Sequence, residues 1–167
     1  IGCLVSTIAE DRRMLVTSRG LSLMVETPDA PLMATADRKM VAQVFTNLLT
    51  NAMNYTPAGG NVVVAARQVE QKDPVSQAGG LRRWVAFEVR DTGLGISQGE
   101  QEKVFERFYR GAAAMQSGVS GTGLGLAISK ELMELQQGHL TLESTMGQGS
   151  AFTAWLPAAR DGEDNDR

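Results

Sequence analysis

Apolar residues recur at three- and four-residue intervals through DRKMVAQVFTNLLTNAMNY, so Val41, Val44, Phe45, Leu48, Leu49 and Ala52 share one face of a predicted helix. Asp37 stands at its start as an N-cap, and Pro57 with Gly59 and Gly60 ends it. LGLAISKELMELQQ has a similar amphipathic pattern. Between Leu4 and about Thr17, Ile8, Leu15 and Val16 sit among charges, which predicts a helix ending before Gly20. SQGEQEKVFERFYRG predicts a short helical segment with Val104, Phe105 and Phe108 on one side. Strand patterns appear in LSLMVE, NVVVAARQVE, RWVAFEVRD, HLTLEST and SAFTAWLP, the last two joined by the tight-turn sequence MGQG. PLMATA, after Pro28 and Pro31, reads as a further short strand. Helices and hairpins mixed in this order predict an α+β fold with antiparallel pairing, and no internal repeat interrupts it.

Composition narrows the function classes. The chain has 167 residues, 43% of them hydrophobic, enough for one buried core. A formal charge of −3 and a pI near 5.2 give no general attraction to nucleic acid or anionic lipid, so an anion site has to be local. The single cysteine, Cys3, offers neither a disulfide nor a zinc framework and reads as an ordinary thiol. No apolar run approaches the roughly 20 residues that span a bilayer, and IGCLVSTIAEDRR lacks a basic region followed by an apolar stretch. The expectation is a soluble, cytoplasmic segment in a reducing compartment, excised from a longer polypeptide whose anchor lies elsewhere if it has one. QKDPVSQAGGLR reads as a surface insertion in a hairpin, Gly111 to Ser120 as a mobile Gly/Ser/Ala-rich stretch, and 159–167 as a charged, disordered tail.

Three groups of residues carry chemistry. Asn47 and Asn51 are four residues apart, so both carboxamides stack on one helix face, away from the apolar one. Amide oxygens suit Mg²⁺, which completes its shell with water and substrate phosphates. Two such asparagines alone are more often solvated surface than ligands, so the pair needs corroboration. In DTGLG, Asp91 ends an apolar strand beside Gly93 and Gly95, where a carboxylate can accept from an exocyclic amine such as adenine presents. Alone, that pattern is a weak signal and more often a turn closed by aspartate. SGTGLGLA, Ser120 to Ala127, is a glycine-rich turn feeding a helix N-terminus, an anion site that needs no lysine. It matches neither the dinucleotide fingerprint nor the P-loop.

Taken together, NLLTNAMNYTP, DTGLGI, FERFYR and GTGLGLAI, in that order, resemble the nucleotide-binding boxes of the histidine kinases, and LESTMGQGSAFTAWLP is similar to that family's closing strands. The resemblance covers about Asp37 to Pro157. It implies the Bergerat-type α/β sandwich shared with gyrase, mismatch-repair and heat-shock chaperone ATPases, with a mixed, mostly antiparallel sheet and helices on one face. It also implies one ATP-binding domain over residues 1–158, with residues 1–20 compatible with the end of a linker from a preceding dimerisation domain. ATP and Mg²⁺ are the cofactors it implies. Asn51 would be the principal Mg²⁺ ligand, Asn47 a metal or phosphate contact, and Asn54 and Tyr55 neighbours of the nucleotide. Asp91 would bind the adenine amine, with Gly93, Gly95 and Ile96 shaping the base pocket and Ser150 supporting it. Gly121, Thr122, Gly123, Leu124, Gly125 and Leu126 would bring backbone N–H groups to the phosphates. FERFYR would start an ATP lid in which Arg107 and Arg110 contact phosphate and Phe105 and Phe108 anchor by packing.

The partners so implied are a histidine-bearing dimerisation domain of the same polypeptide and a response regulator. The full-length protein would be a homodimer and this piece a monomer. Neither nucleic acid nor a membrane would touch this chain. Two positions depart from the pattern. Asn54 stands where many histidine kinases have lysine, which removes a cationic phosphate contact. His139, the single histidine, sits in GHL at a helix-to-strand corner, unlike the family's phosphorylated histidine, so it reads as structural. Two other readings remain open: a related ATPase, weakened because Gln43 and Thr50 stand where an acidic base would be needed, and a degenerate kinase domain serving as a regulatory module.

Overall fold

The computed structural model describes residues 1–72 and 80–159. The predicted surface insertion and charged tail lie, apart from their flanking residues, outside the described residues. The helices are α1 (Gly2–Asp11), α2 (Arg13–Ser18), α3 (Arg38–Tyr55), α4 (Ala112–Gln116) and α5 (Gly125–Leu135). The strands are β1 (Ser22–Glu26), β2 (Asn61–Lys72), β3 (Leu81–Asp91), β4 (His139–Thr145) and β5 (Gly149–Pro157). They form one sheet in the order β1-β2-β3-β5-β4, parallel only between β1 and β2.

Register decides which strand residues meet the helices. Val64 pairs with Val89 and Val89 with Phe152, while Ala66 pairs with Phe87 and Phe87 with Ala154. Residues directly opposite in a ladder share a face, and these line one continuous apolar surface. Against it lie Val41, Val44, Phe45, Leu48 and Leu49 of α3, Leu4, Val5 and Ala9 of α1, and Met133 of α5, all in the same core cluster. The apolar stripe of α3 is thus the side pressed onto the sheet, and its asparagines are left on another. The capping prediction holds: the Asp37 carboxylate accepts from Lys39 N at 2.7 Å and Met40 N at 3.0 Å, which keeps its carboxyl below the usual range.

The other face of β3 is buried too, by polar and aromatic neighbours. Glu88, 6% exposed, accepts from Arg90, Arg67 and Thr153. His139 of β4 stacks on Trp155 with an interplanar angle of 8° and meets Trp84 edge-on at 4.9 Å. It is a packing residue of the outer sheet surface, as its sequence context suggested.

Five local expectations need correction. PLMATA is not a strand, because its pairing is a single bridge between Ala34 and Ala158. The first predicted helix is two, since the chain turns at Arg12, whose N–H donates to Ala9 O. The FERFYR region holds only 3-10 turns at Gln98–Glu100 and Lys103–Phe105. Phe108 does not pack: it is 73% exposed at φ +66, with its N–H on Gly123 O, whereas Phe105 meets Phe152 edge-on at 6.4 Å. The Gly/Ser/Ala-rich stretch contains the short helix α4, which composition concealed.

Phe87 is fully buried and contacts Phe45 edge-on, with ring centroids 6.0 Å apart. Phe87→Ala is expected to lower the unfolding free energy by about 3–5 kcal/mol, measured by denaturant titration.

Candidate functional site

α3 enters the site with its polar face. Asn47, Thr50, Asn51, Asn54 and Tyr55 all line a cleft of about 310 Å³, and their spacing of three and four residues is that of one helical stripe. Thr50 was visible in the sequence only by this periodicity, having no chemistry of its own to single it out. The Asn47 carboxamide bridges to α5: its Nδ2 donates to the buried Ser129 Oγ at 2.9 Å. A Cβ on Gly125 would lie 2.3 Å from Asn47 Oδ1, so glycine is what lets α5 begin against this amide. Ser129 was missed by sequence reading because nothing local marks it. Asn51 also lines the cleft, and among the described residues no hydrogen bond to protein engages its carboxamide.

The cleft floor is the end of β3. Asp91, 8% exposed, accepts from Gly93 N at 2.8 Å and from the backbone N–H of Ser150. Burial pushes its carboxyl above the ordinary aspartate range, and the two backbone bonds only partly oppose this. Backbone packs tightly around it. A Cβ on Gly149 (φ +107) would fall 1.9 Å from Asp91 O, and one on Gly95 (φ +68) would fall 2.1 Å from Thr145 O. Gly93 lies behind the lining, with Tyr55 O 2.4 Å from where its Cβ would be. Ser144 Oγ donates to Gly149 O at 2.8 Å and accepts from Ile96 N at 2.8 Å. Its proton being used, its 3.0 Å contact with Ser150 Oγ is donated by Ser150. Ile96 and Ser150 line the cleft beside Asp91.

The second wall runs from Tyr109 to the start of α5. Gly121, Thr122, Gly123, Gly125 and Leu126 line the cleft, while Leu124 is the N-cap of α5 behind them. Arg110 lines it as well, its Nη2 donating to the carbonyls of Val119 and Ala114, and its buried Nε has no partner among the described residues. Arg107 is not brought to the cleft: Nε and Nη2 both donate to Glu131 Oε1 of α5, at 3.0 and 2.7 Å. Arg107 lies in the turn that follows the second 3-10 segment, next to Phe108 at φ +66, and this turn carries it to the α5 side. Glu100, which sequence reading overlooked, lines the cleft and accepts from Ser97 Oγ, Ala112 N and Tyr109 OH. Those donors hold its carboxyl below the usual range.

The comparisons with known proteins agree with this geometry. The histidine kinase-, DNA gyrase B- and HSP90-like ATPase family matches residues 36–160, and the chain belongs to it. The circadian input-output histidine kinase CikA of Synechococcus elongatus is 39% identical over 127 residues, covering 73% of this chain but 15% of its own length. The mycobacterial sensor histidine kinase MprB superposes with a TM-score of 0.75 at 26% identity, covering 93% of both chains. Full-length ShkA in complex with AMPPNP superposes with a TM-score of 0.74 at 26% identity, covering 95% of this chain and 30% of that one. The chain thus spans 15% of the length of CikA and 30% of the ShkA chain, but nearly all of the solved MprB chain. The fold is the Bergerat α/β sandwich of histidine kinase catalytic domains. Among the described residues, no helix is long and apolar enough to cross a membrane.

A carboxyl with a raised folded-state pKa favours the folded protein while protonated, and opposes folding once pH exceeds that pKa. Asp91→Asn is therefore expected to be at least as stable as the parent chain at pH 7 in the absence of nucleotide. The advantage should shrink as pH falls through the raised folded-state pKa toward the ordinary aspartate value. Denaturant unfolding from pH 4 to pH 8 measures it; an advantage that grows on acidification would contradict the burial argument.

Proposed function

We propose that this chain is the ATP-binding catalytic domain of a sensor histidine kinase, residues 1–158 forming one domain that donates the γ-phosphoryl of ATP to a histidine on another domain. The observation that carries this reading is the single cleft that joins a buried carboxylate, a stripe of helical asparagines and a glycine-rich helix start. Packing of α1 into the common core supports counting residues 1–20 with the domain rather than as linker.

The residues act by position and charge. Asp91, ionised, would accept the adenine 6-amino hydrogen at a site left over from the bonds with Gly93 N and Ser150 N. Guanine offers a carbonyl there and would meet repulsion. Gly95 and Ile96 would bound the base, with Ser150 fixing the Asp91 side through its own backbone. The turn from Gly121 through Thr122 and Gly123 to Gly125 and Leu126 would present N–H groups to phosphate oxygens at the N-terminus of α5. Arg110, with its unpartnered Nε, would be the lid cation that meets phosphate, and Arg107 would brace the lid on Glu131.

The donor set fits Mg²⁺. Among the described residues there is no cluster of three or more His, Cys, Asp or Glu side chains, and the available ligands are the Asn51 and Asn47 amide oxygens. Such neutral donors suit an ion held chiefly by the nucleotide's own phosphates. When bound, the ion would neutralise phosphate charge during in-line transfer. Among the described residues of the cleft, hydrolysis lacks a free base: Thr50 Oγ1 is engaged with Thr46 O, and the Glu100 carboxylate already accepts three bonds. The partners that follow are a histidine-bearing dimerisation domain of the same polypeptide and a response regulator. A homodimeric, cytoplasmic full-length kinase is the setting this reading implies.

Asp91→Asn should weaken Mg·ATP binding roughly 10- to 100-fold, because with its amide oxygen on Gly93 N the variant turns an NH₂ toward the adenine amine. Asn51→Ala should abolish the gain in ATP affinity that Mg²⁺ provides. Isothermal calorimetry with and without Mg²⁺ reads both, and unchanged titrations for both variants would refute the site. The loss through Asp91 has a pH signature: affinity should fall on acidification at a higher pH than an ordinary aspartate titrates, since only the ionised carboxylate accepts freely. With radiolabelled ATP, this chain alone should form no acid-labile, base-stable phosphoprotein, since its one histidine is packed between tryptophans; label that disappears in His139→Ala would overturn this.

A further inference from the structure

A cleft that takes a triphosphate needs positive charge, and this one is short of it. Among the described residues that line the cleft, Arg110 is the single Lys or Arg, set against the carboxylates of Asp91 and Glu100, and its Nη2 is already committed to two carbonyls. The stripe of α3 that faces the cleft carries only neutral side chains.

A second guanidinium nevertheless stands directly behind that stripe. Arg19 Nη1 donates to Asn54 Oδ1 at 2.6 Å and more weakly to Met53 O at 3.4 Å. Its place is fixed by backbone. Arg19 N bonds to Val16 O at the end of α2, Gly20 (φ +73) turns the chain, and Gly59 N donates to Gly20 O at 2.7 Å. The α2–β1 turn is thereby clamped to the turn that follows α3, and Arg19 is delivered to the last helical turn, 35 residues away in sequence from Asn54. A guanidinium has donors only, so the carboxamide atom it meets is the oxygen. The two N–H donors of Asn54, a cleft-lining side chain, are then what remains for a ligand.

We propose that Arg19 is a positioning residue for nucleotide phosphates: it holds the Asn54 carboxamide by its oxygen, leaving the NH₂ group as a phosphate donor with a cation immediately behind it. The inference rests on the nucleotide reading of the cleft. An amide polarised by an ionic partner is a stronger donor than a free one, so the pair does together what neither neutral Asn54 nor distant Arg19 does alone. The rival explanation is that Arg19 only caps the C-terminal end of α3 through Met53 O.

The test uses the 167-residue chain, with Mg·ATP titrated calorimetrically at low and high salt, adenosine displacement as the phosphate-free control, and thermal melting for integrity. Arg19→Ala should weaken Mg·ATP about fivefold, more at low salt, and leave adenosine unchanged. Asn54→Lys should make Arg19 dispensable, so that adding Arg19→Ala to it changes affinity less than about twofold. Unaltered Mg·ATP affinity in Arg19→Ala would overturn the proposal. So would equal losses for ATP and adenosine with a lowered melting temperature and no rescue by Asn54→Lys, the signature of a helix cap. If Asp91→Asn loses Mg·ATP while Arg19→Ala matches the parent, this inference alone fails. If the parent chain takes up no Mg·ATP, the nucleotide reading fails and this inference with it.

Discussion

The cleft depends on how α3 is pressed onto the sheet. Val41, Val44, Phe45, Leu48 and Leu49 are almost wholly removed from water against β3 and its neighbours. Burial of several large side chains outweighs any preference of individual polar residues, at about 25 cal/mol per Å² of apolar surface. Once that face is fixed, the opposite stripe has no freedom: Asn47, Thr50, Asn51, Asn54 and Tyr55 must look into the same space. The hydrophobic pattern thus aims the polar groups without any of them contributing to the choice.

A second constraint lies where β3 ends. A carboxylate at 8% exposure is costly unless hydrogen-bonded, and Asp91 is kept there by two backbone N–H groups with strands on both sides. Gly149 lets its strand approach the Asp91 carbonyl, and Gly95 lets the following loop approach Thr145. The price is a site poised against its own stability, with an acceptor held dry and ready for a donor that the protein itself does not supply.

The lid wall follows different physics. Its course is set by single contacts such as Phe108 N on Gly123 O and the Glu100 carboxylate on Tyr109 and Ala112, rather than by a buried face. Periodicity therefore misplaced Phe108 and gave no hint of Glu100 or α4. Arg107 and Arg110, equivalent by sequence, part company because three residues of non-helical backbone send one to Glu131 and the other to the cleft.

Legibility followed the range of the interactions involved. The helix α3 with its Asp37 cap, the five strands and the β4–β5 turn came from short-range periodicity, and Asn51, Asp91 and the glycine turn came from residue types whose chemistry is nearly self-declaring. What the sequence by itself determined was each element and the face it would bury, because both are properties of neighbours three or four positions apart. Only tertiary structure decided that Asn47 would be held by Ser129, 82 residues on, that Arg19 would stand behind Asn54, and that Arg107 would leave the site. Those pairings depend on how the packed elements are placed against one another, and no local pattern carries that information.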